Sequence, residues 1–500
     1  MAERPNFVFI MTDTQGSDHV GAYGHGYLQT TNLDRLASQG TLFEHAFTTC
    51  PLCTPARAAI FSGIYSSKSG PWANSLAFAQ NVRSMGQIFS DAGYHTAYVG
   101  KWHLDGHDYF GDGRCPEGWD ERYWYDGRRF YEEFDPERRK DFRQVWGIEG
   151  MRKLGITAED TWAYRNTERA MRFLSEAKEE SSPFCLVVSH DEPHHPYICP
   201  PEYMERFEHI PYENGPAAHD TLEGKPSHQI EWAKSKFGCY GEVREKVLAP
   251  WYLGCNAFVD EQIGRLIDAV DRMCPDNTYI IYTSDHGDMH WAHRLSSKGP
   301  VIYDAITRIP LIMKGPNVPA GWRSQTNVSH ADLLPTMLSW AGVEVPPAMD
   351  GESLCDLMAR RADQARSVVV EFNRFEISMD AYGGFMPMRA IIRDDYTLAL
   401  NLLTEDELYQ RIDDPNQLHN LLGNGAHNRV RAELHDELLA WMEEHRDPFR
   451  GSGWEQRRWR TTNRTPWLGA FRPAPPDGHA PAFLDYDTAR PTRGTHMQFE

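Results

Sequence analysis

Four short apolar runs in this chain stop abruptly on groups that bind or move charge. "NFVFIMT" (6–12) meets Asp13. "YHTAYVGKWH" (94–103) breaks at Gly100 and delivers Lys101 and His103. "SPFCLVVSHDEPHHPY" (182–197) ends in His190, Asp191, His194 and His195. "NTYIIYTSDHGD" (277–288) ends in Asp285 and His286. Unbroken apolar runs of this length read as strands covered on both faces, the habit of parallel sheets. Helical patterns lie between them. "TNLDRLASQG" (31–40) has Gly40 as its stop, and 253–273 carries Phe258, Val259, Ile263, Leu266, Ile267 and Val270 at helical spacing. The alternation predicts an α/β domain over residues 1–365. Its large, mostly parallel or mixed sheet is flanked by helices, and ligands gather at the carboxyl ends of the strands.

Beyond residue 365 the texture changes. "SVVVEF", "MRAIIRD", "YTLALNL" and "DELYQ" are closely spaced strand-like runs, followed by an amphipathic helix at 428–446. They predict a small C-terminal α+β subdomain at 366–450, an antiparallel sheet plus a helix. Residues 451–500, rich in Pro, Gly, Arg and Trp, read as a tail that wraps the body, joins copies into a homo-oligomer or is partly disordered.

A net charge of −20 without basic runs argues against a nucleic-acid partner. It leaves room for a local basic pocket that takes a small anion. No apolar run reaches the roughly 18 residues of a membrane span. The initial apolar run is too short for a secretory signal. Nine scattered cysteines, an odd number, fit reduced thiols and a cytoplasmic location. Residues 105–145 are dense in aromatics, Arg and Asp. They read equally as a substrate-facing loop, suited to sugars or anions, and as an ordinary wet surface excursion.

The stretch "CPLCTPARAAIFSG" (50–63) places Cys50 and Cys53 as C-x-x-C. A zinc site needs two more ligands at matching spacing, and the remaining cysteines are isolated. A dithiol redox site needs a thioredoxin-like fold that the rest of the chain does not follow. Read from Cys53 instead, the pattern is Cys53, Pro55, Arg57 and a short helix ending Ser-Gly. This resembles the C-x-P-x-R signature of the type I sulfatases of the alkaline-phosphatase superfamily. The resemblance reaches to about residue 425. "FIMTDTQ", "GYHTAYVGKWHL", "DEPHHPY", "YTSDHGD", "SSKGPVIYDAITRIPLIMKGP", "SHADLLPTMLSWAGVEVP" and "ELYQRIDDPNQLHNLL" fall in the family's order.

The resemblance implies an alkaline-phosphatase-like fold and a sulfuric ester hydrolase acting on an organic sulfate, with sulfated carbohydrates as one class. It implies that a formylglycine-generating enzyme converts Cys53 to formylglycine. One divalent metal, Ca²⁺ before Mg²⁺ or Mn²⁺, is implied on Asp13, Thr14, Cys53, Asp285 and His286. Lys101, His194 and Lys298 are implied to bind the substrate, and Arg57 to orient residue 53. In the implied reaction a hydroxyl of the hydrated aldehyde attacks sulfur. His194 and Lys298 assist the leaving alcohol, His103 takes the second hydroxyl's proton, and Asp285 helps deprotonate the nucleophile.

Each residue taken alone has a plainer reading. A lysine is usually a surface charge, an Asp-His pair a loop salt bridge or cap, and a cysteine at a helix start a buried thiol. His190 and His195 read as pocket lining or packing, and Cys50 as a bystander. Two departures stand out. Thr14 replaces the family's usual second acid, and His286 stands where many sulfatases have Asn. Both features resemble the choline-sulfatase and phosphonate monoester hydrolase branches. A phosphonate monoester or phosphodiester hydrolase is therefore an alternative, as is a non-catalytic binding protein of the same fold.

Overall fold

The computed structural model describes residues 4–460 except 80, 143–144, 146, 181, 211–214, 236–240, 275 and 378–383, together with 483–484 and 491–492. Side chains of 241–248 are not described. The main sheet comprises β1 (Asn6–Thr12), β2 (Thr41–Phe43), β3 (His95–Gly100), β4 (Phe184–Ser189), β5 (Thr278–Ser284), β6 (Leu311–Lys314) and β7 (Trp322–Ser324). Their spatial order is β3-β4-β1-β5-β6-β2-β7. β1 lies parallel between β4 and β5, with Phe7 opposite both Cys185 and Tyr279. β6 is antiparallel to both its neighbours, while the remaining pairs are parallel. The sheet is thus mixed and mostly parallel.

Central strands of such a sheet need apolar cover on both faces. Val8 and Ile10 face α1 (Thr31–Gln39), α3 (Trp162–Ala177) and α4 (Gly241–Met273), packing among Leu33, Phe173, Ile263 and Leu266. Phe7, Phe9 and Met11 point the other way, toward Phe61 of α2 (Cys53–Ser62) and Leu334 and Met337 of α5 (Leu333–Ala341). The alternation of β1 therefore fastens both helical layers. It leaves the strand end, where Asp13 follows, as the edge from which chemistry projects. Among the described residues no helix is long and apolar enough to cross a membrane.

The C-terminal sheet is a simple antiparallel meander of β8 (Val368–Phe372), β9 (Met388–Arg393), β10 (Tyr396–Asn401) and β11 (Glu407–Gln410). Helix α6 (Asn428–Glu444) lays Leu434, Leu438, Leu439 and Met442 on it. The start of the tail belongs to this unit. Trp454 is buried, Arg457 pairs with Asp406, and Arg460 reaches Asp436 at 2.7 Å. Most of the remaining tail, and with it the expected oligomer contact, lies outside the described residues.

A buried polar chain joins this sheet to the segments around α2. Arg389 of β9 donates to both carboxylate oxygens of Asp447, at 2.5 and 2.9 Å. Its guanidinium lies 3.7 Å from Glu371 of β8. Glu371 accepts from the Ser66 hydroxyl (2.5 Å) and the Ser67 N–H (2.9 Å), just beyond α2. Its own N–H donates to Thr49 O, just before α2, at 2.8 Å. Replacing Asp447 with Ala removes the closer carboxylate from the buried Arg389 charge and leaves it Glu371 at 3.7 Å. The expected loss is about 3–5 kcal/mol of stability, read by urea unfolding. A loss below 1 kcal/mol contradicts this picture.

Candidate active site

The carboxyl ends of β1, β3, β4 and β5 converge on the first residue of α2. β3 ends at Gly100, with φ +111°, where a Cβ would lie 1.9 Å from Ser189 O. Only glycine lets this chain pass so close to β4 and turn Lys101 inward. Thr14 (φ 68°) and His103 (φ 59°) also adopt left-handed backbone at strand exits. The loop before Lys298 does so at His290, Trp291, His293, Arg294 and Ser297. Such strain persists only where surrounding bonds impose it. Here Asp288 Oδ1 accepts the N–H groups of His290 (2.8 Å) and Ser297 (3.0 Å), and Asp220 Oδ2 holds His293 Nδ1 at 2.6 Å.

Arg57, one turn into α2, is wholly buried and binds both acids. Its Nε lies 3.0 Å from Asp285 Oδ2, and a terminal nitrogen lies 3.0 Å from Asp13 Oδ2. It also donates to Lys101 O (2.7 Å) and Ser189 Oγ (2.9 Å). Lys101 Nζ sits 2.8 Å from Asp13 and 3.2 Å from Asp191. Lys298 Nζ sits 2.6 Å from Cys53 Sγ, 3.1 Å from His194 Nε2 and 3.4 Å from His286 Nε2. The surface-charge reading of both lysines fails, since Lys101 is 0% and Lys298 5% exposed.

Asp13, Cys53, Asp285 and His286 each bring one donor atom within 4.8 Å of the others. His286 Nδ1 is engaged with Gly287 O at 2.7 Å, leaving Nε2 to face Cys53 Sγ at 3.2 Å. Burial opposes the charge on Asp13, but Lys101, Lys298, His194 and Arg57 outweigh it and hold its carboxyl well below the usual range. Burial and the neighbouring Asp13 charge push Asp285 up. For His286 burial works against protonation, yet Asp285 prevails and raises it. Two dry carboxylates, an imidazole lone pair and residue 53 form a donor set that fits a hard divalent cation. Thr14 stands beside this set. Its hydroxyl donates to Asp13 Oδ1 at 2.5 Å and its N–H to Asp285 Oδ1 at 3.1 Å, which aims both carboxylates.

His194 turns Nδ1 to His195 O at 2.6 Å and Nε2 to Lys298. Burial, then Lys298 and Lys101, hold its pKa well below the ordinary value, so it rests neutral. His103 is likewise driven down by burial, Lys101 and Arg57. His195 is exposed and outside the cluster. Cys50 is a buried free thiol with its pKa raised by burial and Glu371, separate from the donor set.

The sulfatase family model matches residues 5–343, more than half of the chain. The chain belongs to the sulfatase family. A second model, the C-terminal region of N-sulphoglucosamine sulphohydrolase, matches residues 293–444. The chain is 47% identical to the uncharacterized sulfatase YidJ of Escherichia coli K12, across 99% of each sequence. It is 26% identical to an N-acetylglucosamine-6-O-sulfatase of Bacteroides thetaiotaomicron, over 89% of this chain and 87% of that one. Among solved structures, BT4656 in complex with its substrate D-glucosamine-2-N,6-O-disulfate has a TM-score of 0.72 at 23% identity, covering 89% of this chain and 99% of that one. The phosphonate monoester hydrolase of Agrobacterium radiobacter has a TM-score of 0.71 at 20% identity, covering 88% and 96%. The fold is that of the alkaline-phosphatase superfamily, and the chain is a sulfatase enzyme.

Asp191, Ser189 and Tyr109 were not expected at the site. Asp191 belongs to a polar cluster at a strand end, a signal that was present. Tyr109 places its ring 4.0 Å from Lys101 Nζ, and it belongs to the aromatic 105–145 stretch whose substrate-facing reading the sequence leaves open.

His190 is wholly buried, and neither ring nitrogen has a hydrogen-bond partner among the described residues. Burial alone lowers its pKa to about 3 from 6.5, which agrees with a packing role. The unfolded imidazole takes a proton below its ordinary value and the folded one does not. Stability is therefore lost as pH falls from about 6.5 toward 3. Between pH 7 and pH 5 this amounts to about 2 kcal/mol. A His190→Phe variant should lose about that much less than the parent in paired urea titrations. Parallel curves would show that His190 has a charged or polar partner.

Proposed function

We propose that this sulfatase releases sulfate from an organic ester through a formylglycine at position 53 and a divalent metal, Ca²⁺ first. The observation that carries the reading is the convergence of Asp13, Asp285, His286 and Lys298 on Cys53 Sγ, the atom that marks where the modified side chain projects. Asp13, Asp285, His286 and residue 53 would hold the metal. Bound there, it supplies charge neutralisation and Lewis-acid polarisation. The hydrated aldehyde supplies one hydroxyl as nucleophile and a second that lets the ester collapse without water reaching sulfur.

The remaining work falls to this chain's own groups. Arg57 locks both carboxylates and, through Lys101 O, the backbone of the clamp. Lys101 and Lys298 lie where sulfate oxygens carry charge, and desolvation strengthens their attraction. Burial works against charge on Lys298, while Cys53, Asp13 and Asp285 raise its pKa; once residue 53 is converted, the two carboxylates are the groups that hold Lys298 as an ammonium. His194 Nε2 accepts a hydrogen bond from that ammonium. The pair thus holds one proton that passes to the departing alkoxide. His103, neutral at rest, is suited to take a proton from residue 53 in the second half-reaction. All eight described cysteines are free thiols, which supports the cytoplasmic reading.

His286 and the single acid on β1 favour phosphonate ester hydrolysis as a second reading. Turnover of paired aryl sulfate and aryl phosphonate monoesters, on protein whose residue 53 is identified by peptide mass spectrometry, separates the two. We expect kcat/KM for the sulfate to exceed that for the phosphonate at least tenfold. Faster phosphonate cleavage would reverse the assignment. Sulfated hexosamines, the substrate class named for two similar proteins, form a further arm of the panel. Cys53→Ala should abolish sulfate release. Chelator-stripped protein should gain about 2–3 kcal/mol of stability on saturation with Ca²⁺, read by calorimetry. An unchanged melting curve counts against the metal.

A further inference from the structure

The backbone that carries Lys298 is gripped on both sides. Before it, Asp288 Oδ1 accepts the Ser297 N–H at 3.0 Å. After it, a Cβ at Gly299 would lie 2.9 Å from the Trp232 ring, so the chain runs directly against that ring. Pro300 O then accepts a hydrogen bond from His228 Nε2 at 2.9 Å. Trp232 and His228 belong to one short helix, Ser227–Lys234, and a spacing of four puts them on the same face. Trp232 packs in one buried cluster with Leu222, Leu295, Val301 and Ile302. The Val301 N–H closes a tight turn on Gly299 O at 2.8 Å, and Pro300 at its centre has a fixed φ. A restraint on Pro300 O therefore reaches Lys298 through a stretch with little freedom.

Both ring nitrogens of His228 are engaged. A carbonyl oxygen cannot donate, so Nε2 carries the hydrogen in the bond to Pro300 O. Nδ1 lies 2.8 Å from Thr404 Oγ1. In the neutral ring Nδ1 is the acceptor and the Thr404 hydroxyl the donor. Burial lowers this imidazole's pKa against the pull of Glu407, Pro300 O, Glu405 and Glu231, which agrees with a neutral ring. Thr404 lies between β10 and β11, so the imidazole is a strut from the C-terminal meander to the Lys298 loop. The helix that presents it is pinned to the same meander. Glu405 accepts the Ser227 N–H at 2.8 Å and its hydroxyl at 2.9 Å. Gln229 Nε2 donates to Glu407 at 3.0 and 3.1 Å.

On the reading above, Lys298 and His194 share the proton that passes to the departing alkoxide. Their 3.1 Å contact joins side chains from separate loops, so it depends on where each backbone lies. A misplacement of about 1 Å can cost about a hundredfold in rate. We propose, building on the sulfatase reading, that His228, held in one tautomer by Thr404, is a positioning residue that sets the Lys298 ammonium against His194 and so governs proton delivery to the leaving alcohol. His228 itself touches no reacting group.

The leaving-group dependence of turnover tests this. The phenolate of 4-nitrophenyl sulfate departs without a proton, whereas phenyl sulfate, the ester of a far weaker acid, gains from one. The ratio of their kcat/KM values, measured on one preparation of full-length protein, cancels the fraction that is folded or modified at residue 53. A lesion that only weakens the fold leaves the ratio unchanged. In His228→Ala the nitrophenyl-to-phenyl ratio should rise about thirtyfold, a large part of what a general acid contributes. His228→Gln keeps an N–H near the position of Nε2 and should bring the ratio within about threefold of the parent. Thr404→Val lets the imidazole move its hydrogen to Nδ1 and turn a lone pair on Pro300 O, and should raise the ratio about fivefold. Ser227→Ala removes a bond of the same helix to Glu405 and should leave the ratio at the parent value.

If no ester releases sulfate, the sulfatase reading falls and this proposal with it. If sulfate is released but His228→Ala keeps the parent ratio, or Ser227→Ala raises it equally, His228 is part of the packing only. The proposal is then overturned and the sulfatase reading stands. Should His228→Ala yield no soluble chain, Thr404→Val decides, and a parent-like ratio there overturns the proposal.

Discussion

Two carboxylates, Asp13 and Asp285, sit in a dry interior and share one guanidinium. Taking such charges from water costs several kcal/mol each unless a partner is fixed in place. Arg57 is that partner, and its position is set by a helix with every residue buried. To satisfy the pair, β1 and β5 must be neighbours in parallel register. α2 must dock under their ends, and Lys101 O must turn back to receive the same guanidinium. The sheet order, the glycine turn at the end of β3 and the placement of residue 53 all follow from this one contact. The charges near Cys53 are therefore not added to a finished fold. They are among the reasons that the strands end where they do.

The site concentrates positive charge in a chain whose overall balance is strongly negative. Arg57, Lys101 and Lys298 surround Asp13, while the surface carries the acidic excess. A small anion thus meets buried cationic groups inside the pocket, where low dielectric strengthens their pull. The backbone contributes as well. Left-handed residues cluster at the exits of β1 and β3 and in the approach to Lys298, where ordinary extended chain would carry the side chains past the target. Asp288 and Asp220, which hold that approach, touch no substrate group, yet they set where the ammonium lies.

Much of this was legible in the sequence because it is local. Apolar runs ending in Asp13, Lys101, Asp191 and Asp285 marked strands and their active ends within a residue or two. The compact C-terminal meander and its helix were equally plain. The C-x-P-x-R pattern separated Cys53 from Cys50. The edge strands of the main sheet, only three or four residues each, carry too little periodicity to be recognised unaided. Thr14 was expected among the metal ligands, and in the fold it lies against the donor set, its hydroxyl donating to Asp13 and its N–H to Asp285.

The complete burial of α2 has a further consequence, one of timing. Once the sheet and the C-terminal meander have closed over it, no other protein reaches the Cys53 side chain without undoing the core. A change of that side chain, as proposed, therefore belongs to the period before the core closes. Part of that cover, β8 and β9 with the Arg389–Glu371 pair, lies more than 300 residues downstream of Cys53. During synthesis the cysteine is exposed while those segments are still being made. For the proposed change of that side chain, the length of chain between residue 53 and its cover would act as a clock.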